Sequence, residues 1–180
     1  MQIEDYEVPA AYRYYAAPKL AEAAYLTALV TGWEDLNLLS GPANLFFEGT
    51  YVGESFLDVA ATQDTLVVSL GQDAGVVIDR TKQRDFSDRS FLGRSRSETV
   101  AFQTEIRNTK RRPIEIVIED QIPISTTDQI DVEHELEGGA ALDEETGLLR
   151  WRLTVPPQAT EDVAFRYTVK YPSDERVVLE

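Results

Sequence analysis

One histidine, His134, bounds most of the acid–base and metal chemistry open to this 180-residue chain. A Ser-His-Asp relay would have to use it as the base. The serine in the nearest elbow-like setting, Ser55 of Val-Gly-Glu-Ser-Phe, lacks the second glycine such a turn needs. His134-Glu135 begins like HExxH, but without a second histidine that zinc site is excluded. There are no cysteines, so thiol catalysis, zinc thiolates and disulfides are excluded together. His134 shares the alternation of Val132 and Leu136, which predicts a core or core-edge imidazole rather than a catalytic base.

The densest acidic array is Asp131, Glu133, Glu135 and Glu137. Alternate residues along a strand stand about 6.5–7 Å apart and point in parallel. Calcium loops instead curl several oxygens around one point. The array therefore reads as a solvated face, partly neutralised by Arg150 and Arg152, or as a contact for a basic partner. The basic counterpart is Lys110-Arg111-Arg112, read as a charged hairpin connection that keeps a β-edge from pairing. Lys110, Arg111, Arg112, Asp131, Glu133 and Glu135 are the candidate interaction surface. A glycosidase pair is defined by carboxylate separation, which spacing along a chain does not supply. Gly71 and Gly75 open neither a Walker nor a dinucleotide loop. The expectation is a non-enzyme with no catalytic residues, no metal and no cofactor.

Charge narrows the partners further. The net charge of −15 argues against nucleic acid and anionic membrane surfaces, both of which need a basic footprint. It is unevenly spread: residues 79–112 hold ten Lys/Arg against five Asp/Glu, and the remainder seven against twenty-seven. That basic middle could face an acidic partner or the chain's own acidic part, the latter being the simpler reading. No window approaches the ~18 apolar residues of a membrane span. The first residues lack the basic and apolar regions of a signal peptide, so any signal is expected upstream of this chain.

The elements that must carry these residues are strands. Val100, Phe102, Thr104 and Ile106 share one parity, as do Ile114, Ile116 and Ile118 beyond the Asn108–Pro113 connection. Ile130–Leu136, Leu149–Val155 and Val163–Tyr171 repeat the pattern, with Leu142–Gly147 as a turn whose glycine takes the left-handed position. In the first half, Glu48-Gly49 between Leu-Phe-Phe and Thr-Tyr-Val signals a hairpin, and Thr65–Leu70 and Val76–Ile78 read as strands. Alanines in Ala21–Trp33 favour helix, but β-branched residues and alternation favour strand, the reading adopted. Residues 80–97 read as an irregular or edge stretch. The fold class is all-β: an antiparallel β-sandwich with an immunoglobulin-like C-terminal half and an additional N-terminal β-rich lobe. The lobes are expected at 1–95 and 96–180 within one structural unit, with a boundary near 93–97.

Several ordered blocks are similar to one family: APKLAEAAYLTALVTGW, LNLLSGPANLFFEGTYVGES, RNTKRRPIEIVIEDQIPIS, TGLLRWRLTVPP and FRYTVKYP. Together, over roughly residues 10–172, they resemble the C-terminal domain of unknown function, DUF4139, of the mucoidy-inhibitor family. The resemblance implies a β-rich region excised from a longer protein, following a different N-terminal domain and a coiled coil. It implies an extracytoplasmic or periplasmic setting and a link to exopolysaccharide production, and it carries over no site residues. Two functions stay open: an interaction or assembly module with a protein partner, and a polysaccharide-binding module using Tyr12, Tyr14, Tyr15, Trp33 and Trp151 as stacking platforms.

Overall fold

The computed structural model describes residues 9–34, 38–47, 49–57, 65–84, 88–92 and 95–180. Its strands are β1 (Ala10–Ala16), β2 (Tyr25–Thr31), β3 (Gly41–Phe47), β4 (Thr50–Leu57), β5 (Thr65–Gln72), β6 (Val76–Lys82) and β7 (Asp88–Leu92), then β8 (Ser95–Asn108), β9 (Ile114–Gln121), β10 (Asp131–Leu136), β11 (Ala141–Asp143), β12 (Leu148–Val155) and β13 (Thr160–Pro172). They form a six-stranded sheet ordered β11-β12-β9-β1-β2-β5 and a second sheet ordered β10-β13-β8-β6, with β7 beside β8. β3 and β4 form a separate two-stranded hairpin. The all-β sandwich expected from alternation is what the chain adopts. Ala21–Trp33 resolves as strand β2, preceded by a turn in which Leu20 N–H donates to the Ala17 carbonyl.

Alternation explains the core. Val100, Phe102, Thr104 and Ile106 of β8 and Val163, Phe165, Tyr167, Val169 and Tyr171 of β13 are all buried. Across from them lie Ile114, Ile116 and Ile118 of β9, Leu149, Trp151 and Val155 of β12, and Tyr14 and Ala16 of β1. Each fully buried large side chain contributes about 1.5–3 kcal/mol. The Trp151 indole N–H finds the Glu137 carbonyl at 2.7 Å, so its burial leaves no orphan donor.

The inner face of the six-stranded sheet is covered in two parts. The second sheet covers β12, β9 and β1. At the far end, Ala28, Leu66 and Val68 form a smaller cluster with Val30, Trp33, Leu38, Leu70 and the hairpin's Leu45 and Leu57.

Several expectations are corrected. The ladder between β1 and β9 is parallel, Tyr14 opposite Ile116, inside an otherwise antiparallel architecture. A parallel pair needs a long crossover, and here residues 17–113 supply it. Residues 80–97 are more regular than expected: β6 runs on to Lys82, and β7 pairs with β8 from Asp88 opposite Thr99 to Leu92 opposite Ser95. Both sheets take strands from either side of residue 95, since β1 pairs with β9 and β6 with β8. The hairpin expected around Glu48-Gly49 forms with Phe47 opposite Thr50 and Gly49 at φ +78°; Glu48 lies outside the described residues.

Candidate functional site

The residues singled out by sequence do not converge. The Lys110-Arg111-Arg112 connection is not a hairpin tip, because β8 and β9 belong to different sheets and the chain crosses between them here. Asn108, fully buried, organises that crossing. Its Nδ2 lies 2.9 Å from the Arg112 carbonyl, 3.1 Å from that of Val155 and 2.9 Å from that of Pro156. Its Oδ1 accepts the Lys110 N–H at 2.9 Å. One carboxamide thus ties the β8–β9 crossing to the β12–β13 crossing.

Lys110 folds back onto Asp73 and lies 5.7 Å from the Tyr14 ring centroid, while Arg111 and Arg112 remain exposed. The Tyr14 hydroxyl also donates to Asp73, at 2.7 Å. Burial raises the Asp73 carboxyl, but Lys110, Tyr14 and the Gly75 N–H outweigh it and hold the group below the usual carboxylate range.

Glu133 and Glu135 are neutralised by their own neighbours on β13. Lys170 reaches Glu133 at 2.5 Å, and Arg166 pairs with Glu135. This corrects the expected role of Arg150 and Arg152. The register sets Glu133 opposite Thr168 and Glu135 opposite Arg166, whereas β12 lies in the other sheet. Arg150 instead binds Glu119, with Nε 2.7 Å from Oε1, and Tyr15 donates to the other Glu119 oxygen at 2.7 Å. Burial, and then that bond, pushes the Tyr15 phenol up to about 12. Asp131 is exposed.

His134 is exposed, not core. β10 is an edge strand, and its inward parity is only half-covered: Val132 and Leu136 are half-buried. Among the described residues, no three His, Asp or Glu side chains group as metal ligands would. No helix among them is long and apolar enough to cross a membrane. The expected calcium-unsuitable geometry of the β10 carboxylates is matched by their extended, outward arrangement.

Concavity lies mainly on the outer face of the second sheet. There Ala101 and Ala164, both small, leave a groove of about 360 Å³ flanked by Gln83, Gln103, Glu135 and Arg166. Gln83 Nε2 donates to Gln103 Oε1 at 3.0 Å across it.

The aromatics proposed as stacking platforms separate. Tyr14 and Trp151 are buried, and Tyr15 is engaged by Glu119. Tyr12 alone of that set is a large exposed side chain. A different aromatic group is exposed instead. On the β3–β4 hairpin, alternation sends Leu45 and Leu57 to the core side and Pro42, Phe46, Tyr51 and Phe56 to solvent. Phe46 and Phe56 are each 65% exposed and Tyr51 54%. Phe46 is opposite Tyr51, with ring centroids 5.4 Å apart edge to face, and Pro42 is opposite Phe56. The hairpin signal in Leu36–Ser55 was legible. Its apolar residues at both parities were the unused sign that both faces are apolar.

Residues 4–173 match the family described as a domain of unknown function, DUF4139. The chain belongs to this family. The DUF4139 match takes in all the described strands. The chain is also similar to Protein F37C4.5 of Caenorhabditis elegans, with 22% identity over 176 residues, covering 91% of this chain and 32% of that protein. This DUF4139 chain therefore spans about a third of the length of that relative.

Proposed function

We propose that this DUF4139 chain is a non-enzymatic interaction or assembly module that docks a protein partner through the outer face of its β3–β4 hairpin. The observation that carries this reading is the exposed Pro42, Phe46, Tyr51 and Phe56 row on a hairpin already anchored by Leu45 and Leu57. Large exposed aromatics grouped on one rigid face are characteristic of interface anchors, which bury apolar area with little loss of side-chain freedom. The C-terminal strands fit an immunoglobulin-like arrangement, a scaffold suited to presenting such a face. The resemblance to the mucoidy-inhibitor family points to the cell envelope as the place to seek the partner.

The test is capture by the full-length protein from its native envelope fraction, compared with a Phe46→Ser/Phe56→Ser variant. A partner retained by the native protein and lost from the folded variant supports the reading. Equal retention overturns the hairpin as the docking face. A glycan array that scores binding abolished by the same substitutions would transfer the site to the polysaccharide reading. Turnover of any glycoside, ester or phosphoester, lost on a single carboxylate or serine change, would overturn the non-enzymatic assignment.

A further inference from the structure

A second binding site lies at the mouth of the sandwich, away from the hairpin and independent of the reading above. β6 keeps the even-numbered parity of Val76 and Ile78 facing inward, and the next two residues on that parity are Arg80 and Lys82. The Arg80 guanidinium is held by Asp120, with Nε 2.7 Å from Oδ2 and Nη2 3.2 Å from Oδ1. Its carbon lies 3.7 Å from the centroid of the Phe102 ring, so the plane is fixed from below as well as from the side. One edge of the guanidinium stays free for another ligand.

That ligand is Glu180. Its Oε1 lies 2.7 Å from Arg80 Nη1 and its Oε2 3.4 Å from Lys19 Nζ. Lys82 Nζ donates to the Glu180 main-chain oxygen at 2.5 Å. Three cations from two elements converge on one acidic residue. The other charged groups facing them are Asp120 and Glu22, whose Oε1 accepts the Arg80 N–H at 3.2 Å. Without Glu180 the mouth carries three positive charges against two negative.

The segment that delivers Glu180 is bound in the manner of a ligand. After the turn closed by Glu175 N–H on the Pro172 carbonyl, residues 176–180 belong to no strand. Val177 and Leu179 pack against the main core, while Val178 between them is 83% exposed. Side-chain sockets hold the segment in place of a backbone ladder, so it opens locally at lower cost than any strand.

We propose that Lys19, Arg80 and Lys82 form a peptide-carboxylate site for an extended segment with apolar residues at two alternate positions followed by an acidic one, and that residues 177–180 occupy it in cis. Tethering holds the cis segment at an effective concentration on the order of millimolar. A free peptide of the same pattern therefore binds well only when the tether's own anchors are removed.

The experiment uses the full chain carrying Leu179→Asp and Glu180→Lys. The probe is a fluorescent, C-terminally amidated peptide of the Asp174–Glu180 sequence, read by anisotropy. The released chain is expected to bind it at least tenfold more tightly than the native chain. A peptide with its last Glu replaced by Lys is expected not to bind, and adding Lys19→Glu and Lys82→Glu to the released chain is expected to weaken binding at least tenfold. Absence of binding to a released chain that keeps its native circular dichroism and melting overturns the proposal, as does equal binding of the Lys-ended peptide. Should the double variant fail to fold, Glu180→Lys alone is read by amide exchange. Exchange at residues 176–179 at least tenfold faster than in the native chain supports a carboxylate-held segment, and unchanged exchange overturns it.

Discussion

Arg80 and Asp120 meet between the two sheets, joined by two hydrogen bonds of 2.7 and 3.2 Å, with side chains 8% and 1% exposed. Each occupies the inward parity of its strand, Arg80 after Val76 and Ile78, Asp120 after Ile116 and Ile118. Asp120 Oδ1 also accepts the Gln121 N–H at 2.7 Å, where β9 ends. This gives the Asp120-Gln121 strand end a structural role that pairing alone does not supply.

Removing one partner of this pair is expected to be severe. Asp120→Ala should cost about 3–5 kcal/mol, since it strands a guanidinium out of water. Arg80→Met combined with Asp120→Asn should cost clearly less than the sum of the single changes, with a coupling of about 1 kcal/mol or more. Urea unfolding of the four proteins of that cycle is the measurement, and additive losses would show that the pair is not coupled.

Asn108→Leu is expected to lower stability by about 3 kcal/mol, because three carbonyls and one N–H lose their partner in a dry site. Asn108→Asp should be no better, since a carboxylate would face those carbonyls. Thermal melts would show the effect. A melt unchanged in either variant would mean that water can replace the carboxamide.

Gly147→Ala should destabilise by about 2 kcal/mol or more. Gly147 sits at φ +71°, and a Cβ there would run into the Ile122 carbonyl. Its own carbonyl accepts the Ile122 N–H at 2.9 Å, so the backbone cannot retreat without breaking that bond. Gly139→Ala is a suitable control: its φ is +73°, but nothing lies near a Cβ there. The difference between the two melts isolates the close approach from the left-handed backbone cost.

Alkaline titration should separate the tyrosines. Burial and the Glu119 bond push Tyr15 up to about 12, and burial, then the Glu180 charge, push Tyr167 up to about 12. The folded state therefore holds protons that the unfolded state gives up near 10, so stability falls as pH rises from about 10 to about 12. Tyrosinate absorbance should show at least two late-ionising phenols, and a single step near 10 would contradict this. At the acid end the sign reverses. Asp73 is held below the ordinary carboxylate value, so its contribution is present above that value and is lost as pH falls through the lower folded one.

Glu133→Gln and Glu135→Gln are expected to leave the melting temperature unchanged, because both pairs lie at the solvated surface of β10 and β13. Loss of partner capture in either variant, with the melt intact, would make the acidic face an interface.

Period-two alternation was sufficient for the fold class, for the buried faces of β8, β9, β12 and β13, and for the outward course of Arg150 and Arg152. It works because side-chain direction in a strand is a local property of the backbone, so a run such as Val163–Tyr171 declares its buried face without knowing its neighbour. The same rule already contained a clue that was passed over: Arg80 and Asp120 are charges on apolar parity. What alternation does not carry is which strands adjoin. That is why Glu133 and Glu135 were expected to meet Arg150 and Arg152 rather than Lys170 and Arg166. Adjacency also decided that Lys110-Arg111-Arg112 crosses between sheets, that β1 lies parallel beside β9, and that β10 is an edge whose His134 faces water. Pairing and coverage depend on residues distant in sequence, such as Tyr14 and Ile116 or Arg80 and Asp120. Only the folded chain brings them within reach of each other, and the hairpin face and the Glu180 clamp exist only in that arrangement.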